Sequence, residues 1–199
     1  MFTIAFDFDG VLNDLPVKWS TYLNKKYNIN NVDPYNLPYY DMNLNYPTLS
    51  TSQIFETLND AKLWDTVENT VDLKEVMSTI DSAIGKSNYI IVTATDVSHW
   101  YTKYNHCVKR ILPDFPTEDI ILTCHKDLVR YDILIDDFIE NLTCTDSLGV
   151  LINAPYNKHS KINNKIMRSD ISKISNSIIQ QLKENYDGHK LSLKKFFGH

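Results

Sequence analysis

The sequence predicts an α/β fold: a parallel sheet with helices on both faces and a small, mainly helical insertion after the first strand. Three observations carry that expectation. Short apolar runs recur at residues 2–6, 89–92, 120–122, 133–135 and 150–152, each closed by polar or turn residues. Helix-like patterns separate most of them, and runs apolar on both faces between helices mark a sheet covered on both sides. The stretch 15–87 interrupts this rhythm, so the expected organisation is a core of residues 1–14 and 88–199 with an insertion at 15–87.

Taken in order, the first run ends in a carboxylate-rich turn. The insertion then opens with a helix bearing Trp19 and Tyr22, continues through an Asn/Pro/Tyr-rich segment at 28–47, and reaches a helical stretch at 52–63. After the fifth run, Ile171, Ile174, Ile178, Ile179 and Leu182 recur at helical spacing, which predicts a closing helix over 169–185. The basic residues 190–199 are expected to fray.

Composition narrows the class. A chain of 199 residues with 43% hydrophobic residues affords a sizeable core in one medium domain without staples. With 20 basic against 25 acidic residues the net charge is −5, which argues against binding a nucleic-acid polymer. Cys107, Cys124 and Cys144 form no CxxC pair and suit no zinc spacing, so reduced, partly buried thiols in a cytoplasmic protein are expected. His99, His106 and His125 share no ligand spacing either. No apolar run reaches the roughly 18–20 residues of a membrane span, and the N-terminus lacks a basic, signal-like region. Self-association is compatible with the sequence.

In parallel α/β sheets, ligands sit beyond the carboxyl ends of the strands, so the polar residues closing each run matter most. The first run closes with Asp7-Phe8-Asp9-Gly10-Val11-Leu12-Asn13-Asp14, the second with Thr93-Ala94-Thr95-Asp96, and the fourth with Asp136-Asp137; Lys126 precedes Asp136 by ten positions. Carboxylates crowded on one rim repel, and a divalent cation is their natural partner. Oxygen ligands alone point to a hard ion such as Mg²⁺, shared with a phosphate. Asp7 then suits a nucleophile, and Asp9, carried round by the turn at Gly10, suits a general acid on the leaving-group side. Thr93 and Lys126 are expected to bind the phosphoryl oxygens.

These motifs resemble those of a known family. Asp7-Phe8-Asp9-Gly10-Val11-Leu12 resembles motif I of the haloacid dehalogenase superfamily, and its extension through Asn13-Asp14 is similar to the 5′(3′)-deoxyribonucleotidases. The segment 126–137 follows that family's Lys-x-x-Val-x-Gly-Asp-Leu-Leu-Ile-Asp-Asp pattern, with Tyr131 in place of the glycine, and Pro155-Tyr156-Asn157 resembles its bacterial Pro-Tyr-Asn. The resemblance implies a Rossmannoid core, an aspartyl-phosphate on Asp7, and proton transfer by Asp9. It further implies Mg²⁺ held by Asp7, the backbone carbonyl of Asp9 and Asp137, with Asp136 as a ligand or its immediate support. Phosphate would rest on Thr93, Lys126 and the Ala94 amide; the family often has Ser where Ala94 stands.

The substrate implied is a small phosphate ester, a nucleoside monophosphate, with base recognition in the insertion. Flat aromatic faces suit that task, so Tyr39, Tyr40 and Trp64 are the candidates, with Trp19 behind them. Two readings stand beside this one: a phosphatase of the same chemistry for a sugar phosphate or similar ester, and a non-catalytic phospho-ligand-binding module. A phospho-acceptor receiver module fits poorly, because its acidic pair comes before the phosphorylated aspartate in the chain rather than after it.

Overall fold

The computed structural model of the chain describes the backbone of residues 1–196 and the side chains of 1–185; of the tail expected to fray, 190–196 are instead helical, and 197–199 lie outside the described residues. Six strands, β1 (Thr3–Phe6), β2 (Asn88–Thr93), β3 (Ile120–Leu122), β4 (Ile133–Asp136), β5 (Leu148–Ile152) and β6 (Ile166–Ser169), form one sheet in the order β3-β2-β1-β4-β5-β6. Every neighbouring pair is parallel. The chain winds outward from β1 to β3, then returns to lay β4 on the other side of β1. That reversal opens a crevice beyond the tips of β1 and β4.

Residues two apart on a strand share a face. Ile4, Phe6, Ile91, Ile133, Ile135, Val150 and Ile152 belong to one apolar cluster, while Ala5, Val92, Leu134, Leu151 and Ile166 belong to another. Both faces are therefore packed, as the two-sided apolar runs predicted. The sixth strand was not among the expected five. Its sequence, Ile-Met-Arg-Ser, is too short and polar to read as apolar, yet it pairs with β5 at the sheet edge and Arg168 donates to the carbonyls of Asn157 and Ser160, both at 2.7 Å.

Helix α1 (Leu15–Tyr27) carries Pro16 in its first turn, which the fixed φ suits, and stops at Asn28 in the left-handed region (φ 53°). It buries Leu15, Trp19 and Leu23. Short helices follow at α2 (Met42–Asn45), α3 (Thr51–Phe55) and α4 (Ala61–Trp64). The helix expected across 52–63 is thus two pieces joined by a 3-10 turn, because the Asp60 side chain caps a new helix at Lys62. Helix α5 (Leu73–Ile84), capped by Asp72, turns Leu73, Val76 and Ile80 inward and packs on the last helix.

Beyond β2 come α6 (Val97–Lys103), a π-helical turn at Tyr104–Val108, and α7 (Lys109–Ile111); α8 (Ile139–Thr143) follows β4. The closing helix is α9 (Ile174–Phe196). It begins five residues later than predicted, since Ser169 ends β6 instead. Of the thiols expected to be partly buried, Cys107 is buried and Cys124 and Cys144 are exposed. Among the described residues no helix is long and apolar enough to cross a membrane.

Candidate active site

The loop after β1 builds the floor of the crevice. The Asp7 amide donates to the Ile135 carbonyl (2.8 Å), continuing the β1–β4 ladder one residue past the strand. The chain then turns on itself: the Leu12 and Asn13 amides donate to the Phe8 carbonyl at 3.0 and 3.2 Å. Gly10 adopts φ +80°, and a Cβ there would lie 2.1 Å from Asp137 Oδ2. Only glycine meets both demands. The returning end of the insertion docks on this loop, with Thr70 donating its amide to the Leu12 carbonyl (3.1 Å) and Asp14 accepting from the Glu68 amide (2.7 Å).

Asp7, Asp136 and Asp137 converge at the strand tips. One carboxylate oxygen from each lies within 4.8 Å of the other two, and all three side chains are buried. Lys126, carried by the 3-10 turn Lys126–Leu128, is buried with them, its Nζ 2.9 Å from Asp7 Oδ1 and 2.7 Å from Asp136 Oδ2. Tyr131, where the resembled motif has glycine, donates its hydroxyl to the Lys126 carbonyl (2.9 Å) and so braces that turn. Asp136 is saturated: Asn141 and Lys126 reach Oδ2, and the Phe138 amide reaches Oδ1 (2.8 Å). Asp137 is not. Tyr156 donates to Oδ2, but among the described residues buried Oδ1 has no partner.

Electrostatics follow from that crowding. Burial, only partly offset by Lys126 and reinforced by Asp136 and Asp9, pushes the Asp7 carboxyl up to about 7. Burial and the neighbouring charges of Asp136 and Asp7 drive Asp137 well above the carboxylate range. Burial works against the Lys126 ammonium, yet Asp7 and Asp136 hold it above its ordinary value. An unpartnered buried oxygen amid three carboxylates is costly unless a cation or proton joins them. An all-oxygen set of this size fits a hard divalent ion.

Asp9 stands apart from that trio. Its Oδ1 accepts from Asn13 Nδ2 (3.0 Å) and its Oδ2 from Lys103 Nζ, which also donates to Thr93 Oγ1 (3.0 Å). Lys103 is 1% exposed and was not among the sequence candidates. It stands at the end of α6, just before the π-helical turn, an irregularity that often marks functional positions. Its ammonium also sits over the rings of Phe8 (5.2 Å) and Trp64 (5.7 Å).

Above these groups opens a cavity of about 570 Å³ whose walls include Trp19, Tyr39, Tyr40, Phe55, Trp64 and Tyr156. Asp9, Ala94, Lys103 and Asp137 line it as well. The predicted aromatics behave differently from one another. Tyr39 is half-exposed on the wall. Tyr40, half-exposed overall, stacks on Phe138 (ring centroids 3.9 Å apart) and meets the Tyr156 ring edge-on at 5.6 Å; desolvation of its hydroxyl, then the charge of Asp137, pushes the phenol above its ordinary value. Trp64 is buried, its indole donating to the Leu58 carbonyl (2.7 Å), and Trp19 lies behind it, bonded to Thr57 (2.8 Å). Of the histidines, His106 pairs with Asp65 (2.9 Å) and His99 lines the cavity.

Comparison with known proteins gives this geometry a lineage. Residues 1–178 match the family model described as 5′ nucleotidase, deoxy (pyrimidine), cytosolic type C protein. The chain is 26% identical, over 180 aligned residues, to proteins named 5′(3′)-deoxyribonucleotidase from Bacillus subtilis and from Bacillus phage SPbeta, spanning 78% of this chain and 87% of each relative. In fold it is similar to a haloacid dehalogenase-like protein from Agrobacterium tumefaciens (TM-score 0.58, 12% identity, 89% of this chain and 97% of that one). It is also similar to a HAD family hydrolase from Deinococcus radiodurans (TM-score 0.55, 13% identity, 91% and 96%). The six-stranded parallel core is that of the haloacid dehalogenase-like hydrolases. With nearly the whole chain inside the family model, the protein belongs to the cytosolic type C 5′-nucleotidases, a family of phosphatases.

Proposed function

We propose that the protein hydrolyses nucleoside 5′-monophosphates, deoxyribonucleotides foremost, through an aspartyl-phosphate on Asp7, with Mg²⁺ as cofactor. One observation carries this reading: three buried carboxylates, one with an unpartnered oxygen, meet beneath an aromatic-walled cavity beside a fourth, separately held aspartate. The names of the Bacillus subtilis and phage relatives support the substrate class.

Asp7, Asp137 and the backbone carbonyl of Asp9 would hold the ion, with Asp136 fixing Lys126 and the Phe138 amide beside them. When bound, Mg²⁺ offsets carboxylate repulsion and draws charge from the phosphoryl oxygens. The rest is the work of side chains. The Phe8 amide (2.7 Å) and Lys126 both bond Asp7 Oδ1, so Oδ2 carries neither bond and is the oxygen to attack phosphorus. As the ester P–O bond breaks, Asp9 gives its proton to the departing nucleoside oxygen. Asp9 then takes a proton from water, whose oxygen attacks the phosphorus and frees Asp7. Lys126 and Lys103, with Thr93 and the Ala94 amide, supply the positive charge and hydrogen bonds that a transferring phosphoryl group needs.

The insertion, residues 15–87, roofs the reaction with Trp19, Tyr39, Tyr40 and Trp64, while its last helix, α5, anchors it on α9. Flat aromatic walls fit a base better than a sugar. Phosphate release from a panel of deoxy- and ribonucleoside monophosphates and sugar phosphates, with and without Mg²⁺, tests the reading. Turnover confined to sugar phosphates, or unaffected by chelation, would sink it.

A further inference from the structure

Asp137 is held by a turn of the chain that lies outside the proposed reaction. The Pro155–Asn157 turn follows β5 and grips Asp137 twice: Tyr156 donates its hydroxyl to Oδ2, and Asn157 Nδ2 donates to the Asp137 carbonyl (2.8 Å). The same Asn157 amide group donates to the Ile152 carbonyl (2.7 Å), tying the turn back to the tip of β5. Arg168 on β6 closes the structure from outside by donating to the Asn157 carbonyl (2.7 Å). The turn is therefore rigid, and it is anchored to two strands of the sheet.

The other side of Asp137 is equally constrained. Gly10 leaves Oδ2 its only space there, since a Cβ would lie 2.1 Å away. With Oδ2 fixed between the Tyr156 hydroxyl and the bare face of Gly10, the remaining oxygen, Oδ1, has one direction left. That oxygen is buried and has no partner among the described residues, and the Asp137 carboxylate lies within 4.8 Å of oxygens of both Asp7 and Asp136.

Resting on the reading of Asp137 as a metal-holding carboxylate, we propose that Tyr156 is a positioning residue for the metal site: its hydroxyl pins Oδ2 so that Oδ1 is presented to the ion. A partner of this kind orients a ligand and strengthens the bound geometry, and its loss typically weakens metal affinity 10- to 100-fold. The Tyr156 ring also abuts Tyr40 of the insertion, so the residue contacts both the roof and the metal site.

Tyr156→Phe keeps the ring and its contact with Tyr40 and removes only the hydroxyl. Calorimetric titration of the substrate-free protein with MgCl₂ reads the effect directly, beside the melting temperature of the metal-free protein. The expected result is a dissociation constant for Mg²⁺ raised about tenfold or more, a metal-free melting temperature near that of the parent, and turnover recovered at high Mg²⁺ with substrate KM unchanged. An unchanged Mg²⁺ affinity, with or without a lower melting temperature, makes Tyr156 a packing residue and overturns the proposal; so does a parent protein that takes up no Mg²⁺. Because the titration needs no substrate, a wrong assignment of the phosphatase substrate leaves this test intact.

Discussion

Gly10 and Asp137, 127 positions apart in sequence, share one pocket of space: a methyl group on the first would sit 2.1 Å from Oδ2 of the second. The turn that delivers Asp9 and the strand end that delivers Asp137 are fitted to each other through an absent side chain. Gly10→Ala is expected to cost about 1–3 kcal/mol of stability through its φ of +80° alone. It should also displace Asp137 and weaken Mg²⁺ binding. Thermal melts and calorimetry read the two effects separately, and an unimpaired Mg²⁺ affinity would show that the carboxylate has room to move.

Asp7→Asn preserves size and the contact with the Phe8 amide while removing the proposed nucleophile. Turnover is expected to fall at least about 10³-fold with the circular dichroism spectrum and melting curve retained. Activity within tenfold of the parent would assign the attack to another group.

Lys103 joins Asp9 to Thr93 at the end of β2. Lys103→Met, which keeps an unbranched side chain of similar length but removes the ammonium, is expected to lower kcat about 10²-fold or more, as when one charge-stabilising donor is lost. Lys103→Arg should recover part of it. A kcat that stays put while only KM rises would confine Lys103 to substrate binding.

Asp7 also sets a pH dependence. Its folded value of about 7 lies above the ordinary 3.8, so the folded state binds more protons than the unfolded one. The contribution to stability is present below about pH 4 and is lost as pH rises toward 7; Asp137, also raised, acts in the same sense. Metal-free protein in chelator should therefore melt lower at pH 7.5 than at pH 5.5, and Mg²⁺ should raise the melting point more at the higher pH. A chelated melting point that climbs over this interval would contradict the burial of ionised carboxylates.

Much of this site was legible in the sequence because a parallel sheet puts its chemistry at strand ends. Asp7, Thr93, Asp136 and Asp137 each close an apolar run, and the turn after β1 was marked by Asp-x-Asp-Gly. Lys103 left no such mark: it lies ten residues past Thr93 on a helix, and only the fold of α6 brings it back over the strand tip. Tyr156 was visible as a motif but not as a partner of Asp137, a contact between segments 19 residues apart that depends on the β4–β5 pairing. Strand β6 escaped because its pairing rests on backbone and on Arg168, not on an apolar pattern. The insertion was the least readable region. Tyr40 was expected to offer its ring to a base, and in the structure that ring lies on Phe138 of the core.

The pairing of Phe6 with Ile135 across β1 and β4 places the next residues, Asp7 and Asp136, side by side by simple continuation of the ladder. Shifting one strand by a single position would send one of these acids to the opposite face of the sheet. The enzyme therefore has no folded form in which its centre is intact but mis-registered. Whatever assembles the two middle strands also sets these two acids side by side.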